Sequence, residues 1–174
     1  FSGSWGYHRD EATWKSPEQL IQMLVNTVAT GGNLLMNVGP TARGTFDDRA
    51  LSALKVYADW MRLHGRSIYG CTQSEYKAPT DCRFTQTGPE RSRSEGTRLY
   101  LHIFAWPFRH IHLDGLAGKV AYAQLLHDGS EVRMLEPGKQ NEWSIASTAA
   151  DTLTLELPVI KPNVTVPVVE LFLK

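Results

Sequence analysis

One short apolar run, "NLLMNV" at residues 33–38, stands alone between two segments of helical period, and a lone strand cannot be a fold. Its backbone donors and acceptors would be unpaired on both edges, so it requires neighbours that the flanking residues do not supply. The helix before it is well specified. Ser16 is an N-cap, Pro17 occupies the first helical position, Gln19 completes a capping box and Gly31 ends the segment. Leu20, Ile21, Leu24, Val25 and Val28 recur at helical spacing, so this helix packs against something. After Gly39 and Pro40 close the run, "DDRALSALKVYADWMRLHG" predicts a second helix with its apolar stripe on Leu51, Leu54, Ala58 and Met61.

A parallel α/β sheet or a (β/α)8-like barrel would supply the missing neighbours, and such a barrel takes about 250 residues. The chain has 174, so on this reading the other barrel strands precede Phe1 and the 33–38 run is a last barrel strand. Alternation then sorts its side chains: Leu34, Met36 and Val38 face the helices, while Asn33, Leu35 and Asn37 face the barrel interior. Asn37 falls near the C-terminal rim, where active sites of such barrels are built. The opening "FSGSWGYHRDE" becomes a rim loop, in which Trp5 and Tyr7 are candidates for an aromatic wall against a sugar ring. Packing is the competing role for these aromatics, and tethering a neighbouring loop is the competing role for Asn37.

Beyond residue 70 the period changes to two. "RLYLHIFAWP" alternates Leu99, Leu101 and Ile103 with Tyr100, His102 and Phe104, and "HIHLDGL" does the same with Ile111 and Leu113. "KVAYAQLLHDGSEVRML" predicts a hairpin turning at Asp128-Gly129, and "EWSIAS", "TLTLELPV" and "VPVVELFLK" follow as further strands. About seven short strands with turn signals between them describe an antiparallel β-sandwich. The expected fold class is therefore α/β plus all-β, with residues 1–70 as the end of the barrel and residues 71–174 as the sandwich. Between the halves, the polar stretch 71–96 is expected to wrap the surface, with short strands near Tyr76 and Phe84 and a solvated tip at "RSRSEG".

Eighteen basic and eighteen acidic side chains balance, which argues against nucleic acid as a partner. No apolar run is long enough to span a bilayer as a helix. The chain opens on Phe1 without an initiator Met, as the interior of a longer protein would, although a processed mature chain would look the same. Cys71 and Cys82 are read first as two buried or free thiols, with a disulfide closing a small loop left open as the alternative, and "NVT" at Asn163 is a sequon that matters only in a eukaryotic secretory setting. "HRD" at His8–Asp10 is not a kinase catalytic loop, because Glu11 and Lys15 stand where Leu and Asn would be needed. His8, Asp10 and Glu11 are adjacent in an extended loop and do not converge on one ion, so no metal site is expected. His110 and His112 share a strand face that is expected to be solvated.

"SWGYHRDE", "LIQMLVNTVATGGNLLMNVGPTARGTF" and "LKVYADWMRLHGRSIYG" together resemble the α-L-fucosidases of glycoside hydrolase family 29. The resemblance covers roughly residues 4 to 70, and the later residues match only in position and kind. It implies a retaining, exo-acting glycosidase that removes terminal α-L-fucose from glycans, without metal or organic cofactor. In that mechanism one carboxylate attacks the anomeric carbon while a second carboxyl group acts as acid and then base, the two lying about 5–5.5 Å apart. The resemblance places both the aspartate nucleophile and the glutamate acid/base upstream of Phe1, with Glu11 as the runner-up acid. Trp5, Tyr7 and Asn37 remain as substrate-binding candidates, and the remainder of the barrel is the implied partner. A secreted, periplasmic or lysosomal setting is favoured over the cytoplasm, and homo-oligomerisation is left open. The competing function is a non-catalytic carbohydrate-binding or structural β-sandwich, with Tyr100, Phe104 and Trp106 as a sugar platform.

Overall fold

The computed structural model describes residues 1–137 and 148–174, and the expected strand in "EWSIAS" lies outside them. Helix α1, Pro17–Ala29, begins where the capping box is satisfied in both directions between Ser16 and Gln19. The chain leaves the helix at Thr30 and turns through Gly31, whose φ of 78° suits a residue without Cβ. Thirteen residues make a marginal helix in water, so packing must hold it. Leu20, Ile21, Val25 and Val28 are buried, each contributing on the order of 1.5–3 kcal/mol.

Helix α2, Asp48–His64, is capped by the Asp47 carboxylate and ends at Gly65, where a single 3₁₀ turn, Gly65–Ser67, continues it. Its buried face differs from the expected stripe. Ala50, Ala53, Trp60 and His64 are buried, whereas Leu51 is 49% exposed and Ala58 is also exposed. Small side chains at 50 and 53 allow close packing, and a large aromatic at 60 anchors the far end. Counting only aliphatic residues at helical spacing overlooked a face made of Ala, Trp and His.

Among the described residues eight strands follow, all antiparallel to their neighbours. Strands β1 (Cys71–Thr72), β2 (Cys82–Thr87), β3 (Arg98–Ile103), β8 (Val168–Leu173) and β5 (Val120–Leu125) form one sheet in the order β1-β2-β3-β8-β5. Strands β4 (His110–Leu113), β7 (Leu153–Glu156) and β6 (Arg133–Leu135) form a second, in the order β4-β7-β6. The expected sandwich is present. The strand expected near Phe84 forms over residues 82–87, although inside the larger sheet rather than on its surface, and Pro89–Glu95 forms a short helix, α3, across the predicted loop tip. Tyr76 lies on no strand and packs against the sandwich core. The Asp128-Gly129 turn forms as expected, with Gly129 at φ 74°, but its two arms part after the bridge between Gln124 and Glu131, and β6 joins the other sheet.

The larger sheet is a middle layer. On β3, Leu99, Leu101 and Ile103 face the sandwich core with Leu113, Leu153 and Leu155, while Tyr100 turns the other way to join Ile21, Val25 and Trp60 beneath the helices. Strand β8 repeats this, with Val169 and Leu171 in the sandwich and Val168 under the helices. Period-two alternation therefore does not separate buried from exposed here, because both faces are covered.

The 33–38 run belongs to neither sheet. A ladder needs a partner, and among the described residues none lies beside it, so the expected strand is not formed. The expected sorting of its aliphatic side chains survives: Leu34, Met36 and Val38 are half-buried and Leu35 is 82% exposed. Among the described residues, no helix is long and apolar enough to cross a membrane.

Candidate functional site

The opening loop lies across the 33–39 segment and touches it at three points. The Phe1 ammonium donates to the Asn37 carbonyl at 2.9 Å, and the Asn37 side-chain amide donates to the Trp5 carbonyl. Gly39 lies directly against the loop backbone. A Cβ there would sit 2.6 Å from the Tyr7 nitrogen and 2.7 Å from the Gly6 carbonyl carbon, so only glycine fits this approach. Trp5 is left 75% exposed with its indole outward. A cleft of about 190 Å³ opens alongside, with Phe1, Trp5, Met23, Leu34, Leu35 and Asn37 among its walls.

On its other side the loop is tied to the start of α2. The Tyr7 hydroxyl donates to Asp47 Oδ2 at 3.3 Å, and Asp47 Oδ1 also accepts from the Arg49 backbone at 2.9 Å. The Arg49 guanidinium grips both Asp47 oxygens at 2.8 and 3.0 Å and donates to the carbonyls of Glu11 at 3.1 Å and Arg9 at 3.3 Å. Its Cζ lies over the Trp14 ring, 4.6 Å from the ring centre. These charge-assisted bonds, from the Arg49 side chain first and its backbone second, hold the Asp47 carboxyl down to about 2. Asp47 is therefore a fixed anion over the pH range in which proteins work.

Of the three candidates from sequence, Trp5 and Asn37 are brought together at the cleft, whereas the Tyr7 hydroxyl turns to Asp47 on the other side of the loop. Asp47, Arg49 and Trp14 were missed as parts of the site.

Glu11 does not have the environment of a general acid. Its carboxylate accepts from the Thr13 hydroxyl at 2.6 Å and the Thr13 amide at 2.7 Å, and these bonds, the hydroxyl first, lower its pKa. An acid catalyst at neutral pH needs the opposite shift. Arg9 and Asp10 pair with each other at 3.1 Å, and among the described residues no group of His, Cys, Asp or Glu side chains could hold a metal ion.

The sugar platform considered for the sandwich is not assembled. Tyr100 is completely buried beneath the helices, where its hydroxyl accepts from Arg91 at 3.3 Å, and Phe104 packs beside it in the same layer. Trp106 packs on the opposite, sandwich side and donates to the Pro158 carbonyl at 3.0 Å. His110 and His112 are exposed as expected, although His112 Nδ1 also meets the Thr154 hydroxyl at 2.8 Å. Cys71 and Cys82 are free thiols, and burial pushes them up to about 11 and about 12.

Residues 1–66 match the family model described as alpha-L-fucosidase. The alpha-L-fucosidase isoenzyme 1 from Paenibacillus thiaminolyticus is 35% identical and superposes with a TM-score of 0.84, covering 99% of this chain and 38% of that one. Rat plasma alpha-L-fucosidase is 29% identical over 89% of this chain and 32% of its own length. Human tissue alpha-L-fucosidase is 35% identical over 60% of this chain and 22% of its own. The match to the alpha-L-fucosidase family thus lies in residues 1–66, the chain is similar to these enzymes beyond it as well, and it spans about a third of the length of the first relatives it matches.

Proposed function

We propose that these 174 residues are the C-terminal part of a retaining, exo-acting α-L-fucosidase that removes terminal α-L-fucose from glycans by double displacement. Residues 1–70 are the last part of a (β/α)8-like catalytic barrel, and residues 71–174 are its C-terminal β-sandwich domain. The observation that carries this reading is the tie of the exposed Trp5 loop to Asn37 beside an open cleft, in a chain whose likeness to the Paenibacillus enzyme covers 99% of its length. The unpaired 33–38 run supports it further. Leu35 is 82% exposed on the side opposite the helices, as expected of a strand whose neighbours and interior belong to the remainder of a barrel.

In this function Trp5 presents its indole to the apolar face of the sugar, Tyr7 closes the wall beside it, and Asn37 keeps the two in place from the rim of the strand. The nucleophilic carboxylate and the acid/base carboxyl lie on residues outside this chain, and the lowered Glu11 supports assigning the acid elsewhere. A fucosylated glycan is the substrate, and a secreted, periplasmic or lysosomal compartment accords with relatives named for plasma and tissue.

Replacing Trp5 by Ala in the intact enzyme tests the wall. A rise in KM for an aryl α-L-fucoside of about tenfold is expected, since a buried aromatic contact contributes on the order of 1–1.5 kcal/mol. Unchanged kinetics would remove Trp5 from the site.

A further inference from the structure

We propose that Arg49 is a positioning residue for this wall: its guanidinium, seated on Asp47, holds the 7–14 loop and so keeps Trp5 at the cleft. The proposal rests on the function proposed above. It follows from what secures the loop and what does not.

Residues 3–6 and 8–10 are exposed, and the loop contains no helix or strand, so apolar burial contributes little to fixing it. Polar contacts must do so. On the α2 side, those contacts converge on one side chain and its partner: Arg49 reaches the carbonyls of Arg9 and Glu11 and covers the Trp14 ring, while Asp47 takes the Tyr7 hydroxyl.

The guanidinium suits this task because it is planar. Its fork meets both carboxylate oxygens, its remaining N–H groups point outward at two carbonyls, and its face is left for the indole. An ammonium group has one centre and cannot meet four acceptors and a ring together. Arg49 also sits in the first turn of a long helix, a rigid mount for a loop that lacks regular structure. The Asn37 amide and the Gly39 backbone complete the hold from the opposite side.

Two measurements test the proposal on Arg49→Ala and Arg49→Lys. The first is amide hydrogen exchange of the 174-residue chain, read on residues 5–14 against the sandwich strands as an internal check of folding. Loss of charged hydrogen bonds should speed exchange in the loop by about tenfold in both variants, with the strands unchanged. The second is steady-state kinetics of the intact enzyme on an aryl α-L-fucoside. KM should rise by about tenfold in both, with kcat falling less, because the reacting carboxylates are not moved.

Unchanged loop exchange in Arg49→Ala overturns the proposal. So does a lysine variant that behaves as wild type, because charge alone would then suffice. Trp5→Ala run in parallel separates the two readings. If it raises KM and Arg49→Ala does not, positioning by Arg49 fails while the wall stands; if neither changes KM, the wall itself fails and the proposal falls with it.

Discussion

Gly39 shows how much one absent carbon decides. The backbone of Gly6 and Tyr7 lies where its Cβ would be, so Gly39→Ala must push the loop away from the 37–39 segment. A loss of about 1–3 kcal/mol in urea unfolding is expected, together with faster exchange at the Tyr7 amide. The histidines at the helix–sheet boundary make a second prediction at this scale. His64 stacks on Trp60 with ring centres 4.9 Å apart, and His102 meets the Thr85 hydroxyl at 2.9 Å. Burial lowers His64 to about 4 and His102 to about 3, so both are neutral in the folded protein at pH values where the unfolded chain would already bind protons. Their contribution is complete above the ordinary histidine value near 6.5 and is lost as pH falls from there toward the folded values. The unfolding free energy from urea titration should therefore drop between pH 7 and pH 5, on the order of 1–2 kcal/mol per histidine. His102→Gln should flatten that dependence, and an equally steep profile would show that the loss arises elsewhere.

At the scale of elements, the junction between the helices and the middle sheet rests on a few long-range ties. Trp60 Nε1 donates to the carbonyl of Val166 at 3.1 Å, and Val166 holds φ at 45°, a conformation that β-branched residues rarely adopt. Glu170 on β8 is 3% exposed and accepts from Arg66 at 2.6 Å and Gln124 at 2.7 Å. Arg66→Ala leaves that buried carboxylate short of a donor and should cost about 1–3 kcal/mol, reduced by the solvent that half-exposed Arg66 already meets. Adding Glu170→Gln to it should recover part of the loss, since an amide tolerates the site better than an unpaired charge. A double-mutant cycle in urea measures the coupling, and strictly additive losses would show that the pair does not interact. The ends of these elements were legible from sequence: Ser16, Pro17 and Gln19 begin α1, and Asp128-Gly129 turns the chain after β5. The buried face of α2 was not. Ala, Trp and His make a packing surface only when a partner of the right shape is present, and that partner, β3 with β8, lies far along the chain.

For the whole molecule, the proposed function predicts that the 174 residues, pure and folded, do not hydrolyse an aryl α-L-fucoside, because the two carboxylates of the mechanism are not among them. Turnover above that of buffer would overturn the assignment of both groups to residues outside this chain. Glycan binding by the same chain without turnover would instead favour the reading as a binding module. By itself the sequence determined the local signals: capped helix starts, period-two strands, the lone apolar run that demands neighbours, and the alternation and opening loop from which Asn37, Trp5 and Tyr7 were singled out. Such signals act between residues close in the chain, so periodicity and turn chemistry carry them. Only the tertiary structure decided that the larger sheet would be covered on both faces, that residues 82–87 would enter its interior, and that Asp47 and Arg49 would grip a loop some forty residues earlier. Those outcomes depend on shape and on polar groups meeting across the fold, and no periodicity in the chain encodes which carbonyl a distant guanidinium will reach.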